Sequence, residues 1–127
     1  LGVQRPIAVI FLDRNLVFRR LAARLFVRHF AAELVLIAQG DRWPLVGAPV
    51  QTPQAILLGL GADALVEQDQ MRDLRADFPA APIVVLGHLA ESAYREAALA
   101  AGAAAFIAKD ALMTELLPVL RKLVCLV

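Results

Sequence analysis

Asp13, Arg14, Gly59, Gly87 and Lys109 are the residues through which this chain would do chemistry, because each follows an apolar run that reads as a buried strand. Asp13 and Arg14 follow Ile7-Ala8-Val9-Ile10-Phe11-Leu12, and Gly59 follows Ala55-Ile56-Leu57-Leu58. Gly87 follows Ile83-Val84-Val85-Leu86, and Lys109 lies just past the run 104–108. In open α/β sheets the carboxyl ends of the strands form the crevice that holds ligands. Here those ends carry one carboxylate, one guanidinium, one ammonium and two positions with no side chain. Covalent catalysis by a carboxylate needs that group at the reacting centre, and Gly59 offers none on the central strand. Magnesium takes several oxygen ligands in near-octahedral geometry, for which one carboxylate beside a fixed positive charge is a poor site. The set suits a metal-free ion pair instead, with Lys109 and Arg14 near Asp13; the alternative for Arg14 is a side chain turned to solvent. A partly exposed pair contributes about 1 kcal/mol or less, so its main value is to give Asp13 a partner.

The other reactive side chains have plainer readings. Asp63 is a second carboxylate near Gly59, but it falls in a loop beyond the strand end. Asp110 is placed to cap the last helix. His29 and His88 have no partner at ligand spacing and read as surface or edge residues, with His88 the nearer to the strand ends. The single cysteine, Cys125, excludes an intramolecular disulfide and a multi-cysteine metal site. No metal or cofactor is expected.

The run 55–61 is apolar between Pro53 and glycines, the pattern of a strand covered on both faces in a parallel sheet. The remaining strands are expected over 7–12, 34–39, 83–86 and 104–108. Helical spacing predicts helices over 16–30, 67–77 and 91–101, the last closed by Gly102 as a left-handed cap. A final helix runs from 111 or 114 to about 123, and Pro118 must kink it or mark a late start. On the first helix Phe18, Leu21, Ala22 and Leu25 share one face, and Arg20, Arg24 and Arg28 lie opposite. That arginine stripe reads first as a solvated face, and otherwise as a docking face for an acidic partner or nucleic acid. In the segment 41–52, Pro44, Gly47, Pro49 and the following Pro53 leave room for a turn of helix at most. Trp43 is expected to cover the sheet where a regular second helix is missing. Strands alternating with helices through short loops give a parallel sheet with helices on both faces.

At 127 residues the chain is one domain with a core of its own. Apolar residues make up 60%, much of it alanine, and no run reaches the roughly 20 residues that span a bilayer. A net charge of +1 argues for neither nucleic acid nor a membrane surface. The opening Leu-Gly-Val-Gln-Arg-Pro is too short and polar for a secretory signal, and a reduced cytoplasmic setting fits.

In order and spacing, Ala100-Ala101-Gly102-Ala103 through Phe106-Ile107-Ala108-Lys109-Asp110 resembles a signature of the receiver domains of two-component response regulators. Leu74-Arg75-Ala76-Asp77-Phe78-Pro79 before an apolar strand is a second match, and Leu12-Asp13 followed by Val17-Phe18-Arg19 a third. The resemblance covers about 7–124 and implies a flavodoxin-like doubly wound sheet of five parallel strands in the order 2-1-3-4-5. It forms three layers, with the second helix short or irregular. In such receivers a strand-end aspartate takes a phosphoryl group from a histidine kinase with magnesium bound. Carried over by position, Asp13 matches the first acidic residue and Arg14 replaces the second. Gly59 stands at the phospho-acceptor position, Gly87 at that of a Ser or Thr, and Lys109 is retained. Phe106 matches the conformational-switch aromatic, with Tyr94 beside it, and core packing or a fixed dimer surface is the preferred role for the pair.

The resemblance therefore implies a degenerate receiver: a non-catalytic regulatory module that acts by protein contact without aspartyl phosphorylation. It is expected to form a homodimer or to belong to a longer regulator with an output domain, within two-component signalling and transcription regulation. The domain itself is expected to touch neither nucleic acid nor membrane. A second reading is a small-anion sensor, using the crevice emptied at Gly59 and Gly87 with Lys109 and Arg14. A third keeps phosphotransfer on Asp63 or His88.

Overall fold

The computed structural model describes residues 5–47, 51–61, 68–88 and 92–124. Along the chain these form β1 (Ile7–Leu12), α1 (Leu16–Phe30), β2 (Leu34–Gly40), β3 (Ala55–Gly59), α2 (Gln68–Asp77), β4 (Ile83–Gly87), α3 (Ser92–Ala100), β5 (Ala105–Ala108) and α4 (Leu112–Leu123). The strands form one sheet in the order β2-β1-β3-β4-β5, with every pair parallel. This is the doubly wound, flavodoxin-like order that the sequence led us to expect.

Side chains alternate across a strand with a period of two, and here both sides are buried. Val9, Phe11, Leu57, Val84 and Leu86 face a cluster completed by Ala22 and Phe26 of α1 and by Leu112, Leu116 and Leu120 of α4. Ile10, Leu12, Ile56, Leu58 and Val85 face the other way, against Met71 and Leu74 of α2, Ala98 of α3 and Trp43. Covering both faces is what requires continuously apolar strands.

Three local expectations need correction. Leu21 does not join the buried face of α1; it is 55% exposed. The helix is turned so that Phe26 packs 5.9 Å from Phe11 and Phe18 meets Phe11 edge-on at 6.2 Å, and burying rings outweighs burying one leucine. Pro118 marks no late start, because α4 begins at Leu112 and runs past it. The proline leaves the Thr114 carbonyl without its helical bond and crowds it with the ring, and both residues are exposed, where water can reach that carbonyl. Asp110 does not cap α4: it lies in a 3-10 turn, Lys109–Ala111, and neither that turn nor α4 has a side-chain cap.

Gly102 does close α3, with φ of 110°. Its N–H donates to Leu99 O at 3.1 Å and the Ala103 N–H to Ala98 O at 3.1 Å, the paired bonds of a Schellman cap. Between β2 and β3 there is no helix among the described residues. Trp43 covers that part of the sheet, buried and packed edge-on to Phe78 at 5.1 Å. The indole Nε1 donates to Asp77 Oδ2 at 2.6 Å. Buried Gln70 accepts from the Trp43 N–H at 2.7 Å and donates to its carbonyl at 2.6 Å. One amide side chain thus satisfies both backbone groups that a helix would otherwise have paired. No helix among the described residues is long and apolar enough to cross a membrane.

Candidate functional site

The loop after β1 fixes Asp13 before any partner reaches it. Its N–H donates to Gly40 O at 3.0 Å, which ties the end of β1 to the end of β2. Its Oδ1 accepts from the Asn15 N–H at 2.8 Å, and Asn15 Oδ1 in turn accepts from the Phe18 N–H at 3.0 Å as the N-cap of α1. The Asp-Arg-Asn sequence therefore makes a side-chain-stabilised turn and then starts the helix. What remains of the carboxylate, Oδ2, points into the strand-end crevice, and the Asp13 side chain is 1% exposed.

Lys109 comes to that oxygen from the end of β5. Its Nζ lies 2.8 Å from Asp13 Oδ2, and the lysine side chain is 13% exposed. The contact is an ion pair rather than an aligned hydrogen bond, and Oδ2 has no hydrogen-bond partner among the described residues. Charge attraction is not directional, so the short separation is the meaningful quantity. The ammonium also donates to Leu60 O at 3.3 Å and sits 4.4 Å from the Phe18 ring centroid. A cation over an aromatic face gains from the ring quadrupole.

The two glycines explain how this packing is possible. A Cβ placed on Gly59 would overlap the carboxylate of Asp13, so Asp13 occupies the space into which a side chain at position 59 would project. A Cβ on Gly87 would overlap Cζ and Cε2 of Phe106. Phe106 is 2% exposed and belongs to the core cluster with Tyr94 packed partly buried against it. Arg95 covers the ring at 5.4 Å from its centroid and donates to the Phe106 carbonyl at 3.4 Å. Of the two aromatics singled out in the sequence, Phe106 is core and only Tyr94 reaches the surface.

Magnesium does not fit these residues. The inner oxygen of Asp13 is already against an ammonium, Asp41 at the crevice rim is paired with Arg19, and no group of three or more His, Cys, Asp or Glu is arranged for a metal among the described residues. Arg14 is exposed and borders the crevice with Asp41, Arg42, Leu58, Gly59 and Leu60. The cavity there is about 20 Å³, enough for about one water molecule. His29 and His88 are exposed and lie in different parts of the fold. Asp63 and Cys125 lie outside the described residues.

Arg19 escaped the sequence reading. Its guanidinium donates to Asp13 O at 2.7 Å and to Asp41 Oδ1 at 2.8 Å, bracing α1 against the ends of β1 and β2. The available signal was position: Arg19 is out of register with the stripe at 20, 24 and 28. Gln70 was missed for a similar reason, being a polar residue on the buried side of α2 beside Met71 and Leu74.

No family model matches the sequence, and no curated protein does. Solved structures do match the fold. The signal receiver domain of the response regulator NarL from Mycobacterium tuberculosis superposes with a TM-score of 0.74 at 19% identity, covering 95% of this chain and 98% of that one. The non-phosphorylated receiver domain of the stress response regulator RcsB from Escherichia coli gives 0.73 at 15% identity, over 93% and 95% of the two chains. ChrA, a response regulator of a heme-sensing two-component system, gives 0.67 at 20% identity, with 94% of this chain covering 58% of that chain. With its strand order, its two-sided core and these likenesses, the chain has the fold of a response-regulator receiver domain.

Proposed function

We propose that this chain is a degenerate receiver: a non-catalytic regulatory module that works by protein contact, without aspartyl phosphorylation and without a metal. The observation that carries this reading is the Asp13–Lys109 pair, whose carboxylate fills the space over Gly59. An acyl phosphate needs a carboxylate at the reacting centre, and position 59 supplies only backbone. The Asp13 carboxylate is a poor substitute nucleophile, since both its oxygens are engaged and it is sealed from solvent. Phe106, held in the core over Gly87, has no hydroxyl beneath it to transmit a phosphoryl signal. The partner is a protein surface, either a second copy or an output domain in a longer chain, and the cytoplasm is the setting. Longer chains among the structural neighbours support the second arrangement: the match covers 61% of the Salmonella typhimurium RcsB response regulator. The anion-sensing alternative draws no support from a crevice of about 20 Å³.

The test is incubation of the full chain with acetyl phosphate and magnesium, followed by intact mass. The expected result is an unchanged mass. Gain of one phosphoryl group, mapped to any aspartate, overturns the proposal.

A further inference from the structure

A groove of about 460 Å³ opens between α2 and the C-terminal end of α3, within the range of about 300–1,000 Å³ that small-molecule sites occupy. One stripe of α2 forms its wall, with Gln68, Arg72, Arg75 and Ala76 recurring three and four residues apart beside Met71, which is 1% exposed and makes the floor. Pro79, from the turn before β4, and Ala101, just past α3, complete the lining. The groove shares no lining residue with the strand-end crevice, so it stands whether or not that crevice takes a phosphoryl group. Its two cations are not equivalent. Arg72 is paired with Asp69 at 3.0 Å and with Asp73 at 3.9 Å. Arg75 has neither hydrogen bond nor ion pair among the described residues. Its guanidinium lies over Gly102, where a Cβ would meet Nη1. The negative end of α3 attracts a cation there, but the Ala98 and Leu99 carbonyls already accept from the N–H groups of Ala103 and Gly102.

We propose that this groove binds a small organic carboxylate with a planar apolar body. The carboxylate sits on Arg75, whose guanidinium presents parallel N–H groups that match both oxygens. One unpaired cation balances one negative charge, so a carboxylate fits better than a phosphate dianion, which would be left half neutralised. The body lies against Met71, Ala76, Pro79 and Ala101, a wall that an inorganic anion would leave unused. The short side chains of Ala76 and Ala101 keep the space open, and the Gln68 amide can hydrogen-bond a polar edge of the ligand. A few placed polar groups on an otherwise apolar lining are the usual make-up of a small-molecule site.

The experiment titrates the isotope-labelled full chain with 2-naphthoate and follows backbone amide shifts by NMR. Controls are 2-naphthamide, which keeps the body and loses the charge, and acetate, which keeps the charge and loses the body. The expected result is saturable shifts at the amides of 68–76 and 101–102, with a dissociation constant of about 1 mM or lower. The amide binds about tenfold more weakly, and acetate does not saturate. Arg75→Gln weakens 2-naphthoate by about tenfold, and Ala76→Glu, which sets a like charge on the wall, does the same. Both positions are exposed, and unshifted amides in β1 and β3 show that the variants keep the fold. Equal binding of acid and amide, shifts centred on the strand-end crevice, no saturation by about 10 mM, or variants without effect overturns the proposal.

Discussion

Replacing Lys109 by methionine asks whether the ammonium is what allows Asp13 to stay buried. Methionine keeps an unbranched stem against Phe18 and loses the charge. Asp13, whose side chain is 1% exposed in the folded protein, would keep the Asn15 N–H on one oxygen and lose the cation beside the other. Removing one member of a buried pair costs about 3–5 kcal/mol, because a charge is left stranded. The 13% exposure of Lys109 lets some water reach the site and favours the lower end, about 3 kcal/mol. An unfolding entropy of about 2.1 cal/mol/K per residue over 127 residues is about 0.27 kcal/mol/K, so the melting temperature falls by about 11 °C. Adding Asp13→Asn removes the stranded charge while its amide oxygen still accepts from the Asn15 N–H. The double variant should therefore recover at least about 1.5 kcal/mol relative to the sum of the two single changes. Urea and thermal unfolding of the four proteins, followed by far-UV circular dichroism, give all the terms of the cycle. A Lys109→Met shift smaller than about 2 °C, or strict additivity, would refute the idea that the ammonium is what lets Asp13 stay buried.

Gly59→Asp is expected to cost about 3 kcal/mol in urea unfolding, since its Cβ meets the Asp13 carboxylate and brings a like charge with it. The same variant should take up no phosphoryl group by intact mass, because Lys109 and Asp13 still fill the crevice. Gly87→Ser pushes on the Phe106 ring and should cost about 1–3 kcal/mol; faster amide hydrogen exchange in β5 relative to β1 would be its local signature. Gln70→Leu strands the Trp43 N–H and carbonyl, a loss of about 2–4 kcal/mol by urea midpoint. Millimolar magnesium should leave the melting temperature of the unmodified protein in place, whereas an ion at 100 times its dissociation constant would add about 2.7 kcal/mol.

The sheet was legible because strands buried on both faces must be apolar throughout, and the runs ended by Asp13, Gly59, Gly87 and Lys109, with a more exposed edge run ended by Gly40, leave few alternatives. The meeting of Asp13 and Lys109 was legible too, since parallel strands bring their carboxyl ends to one edge. What fills an empty position was not. Periodicity says that Gly59 and Gly87 lack side chains, but only tertiary packing decides that a carboxylate enters one space and a phenyl ring the other. Leu21 was misplaced because an arc of apolar residues wider than the contact lets rings compete for the inward position, and Phe26 won it. The Gln70 clamp was out of reach for a similar reason: its partners are 27 residues away, across a segment with no repeating pattern to read.

Trp43 is the only tryptophan in the chain, and it lies where the described residues form no helix, held by hydrogen bonds to Gln70 and Asp77 and packed against the Phe78 ring. Because local openings in a folded protein have their own free energies, distinct from global unfolding, release of this segment would wet the indole while the sheet stayed intact. The protein thus carries an intrinsic optical reporter, whose emission would shift to longer wavelength if this segment opened before any loss of secondary structure.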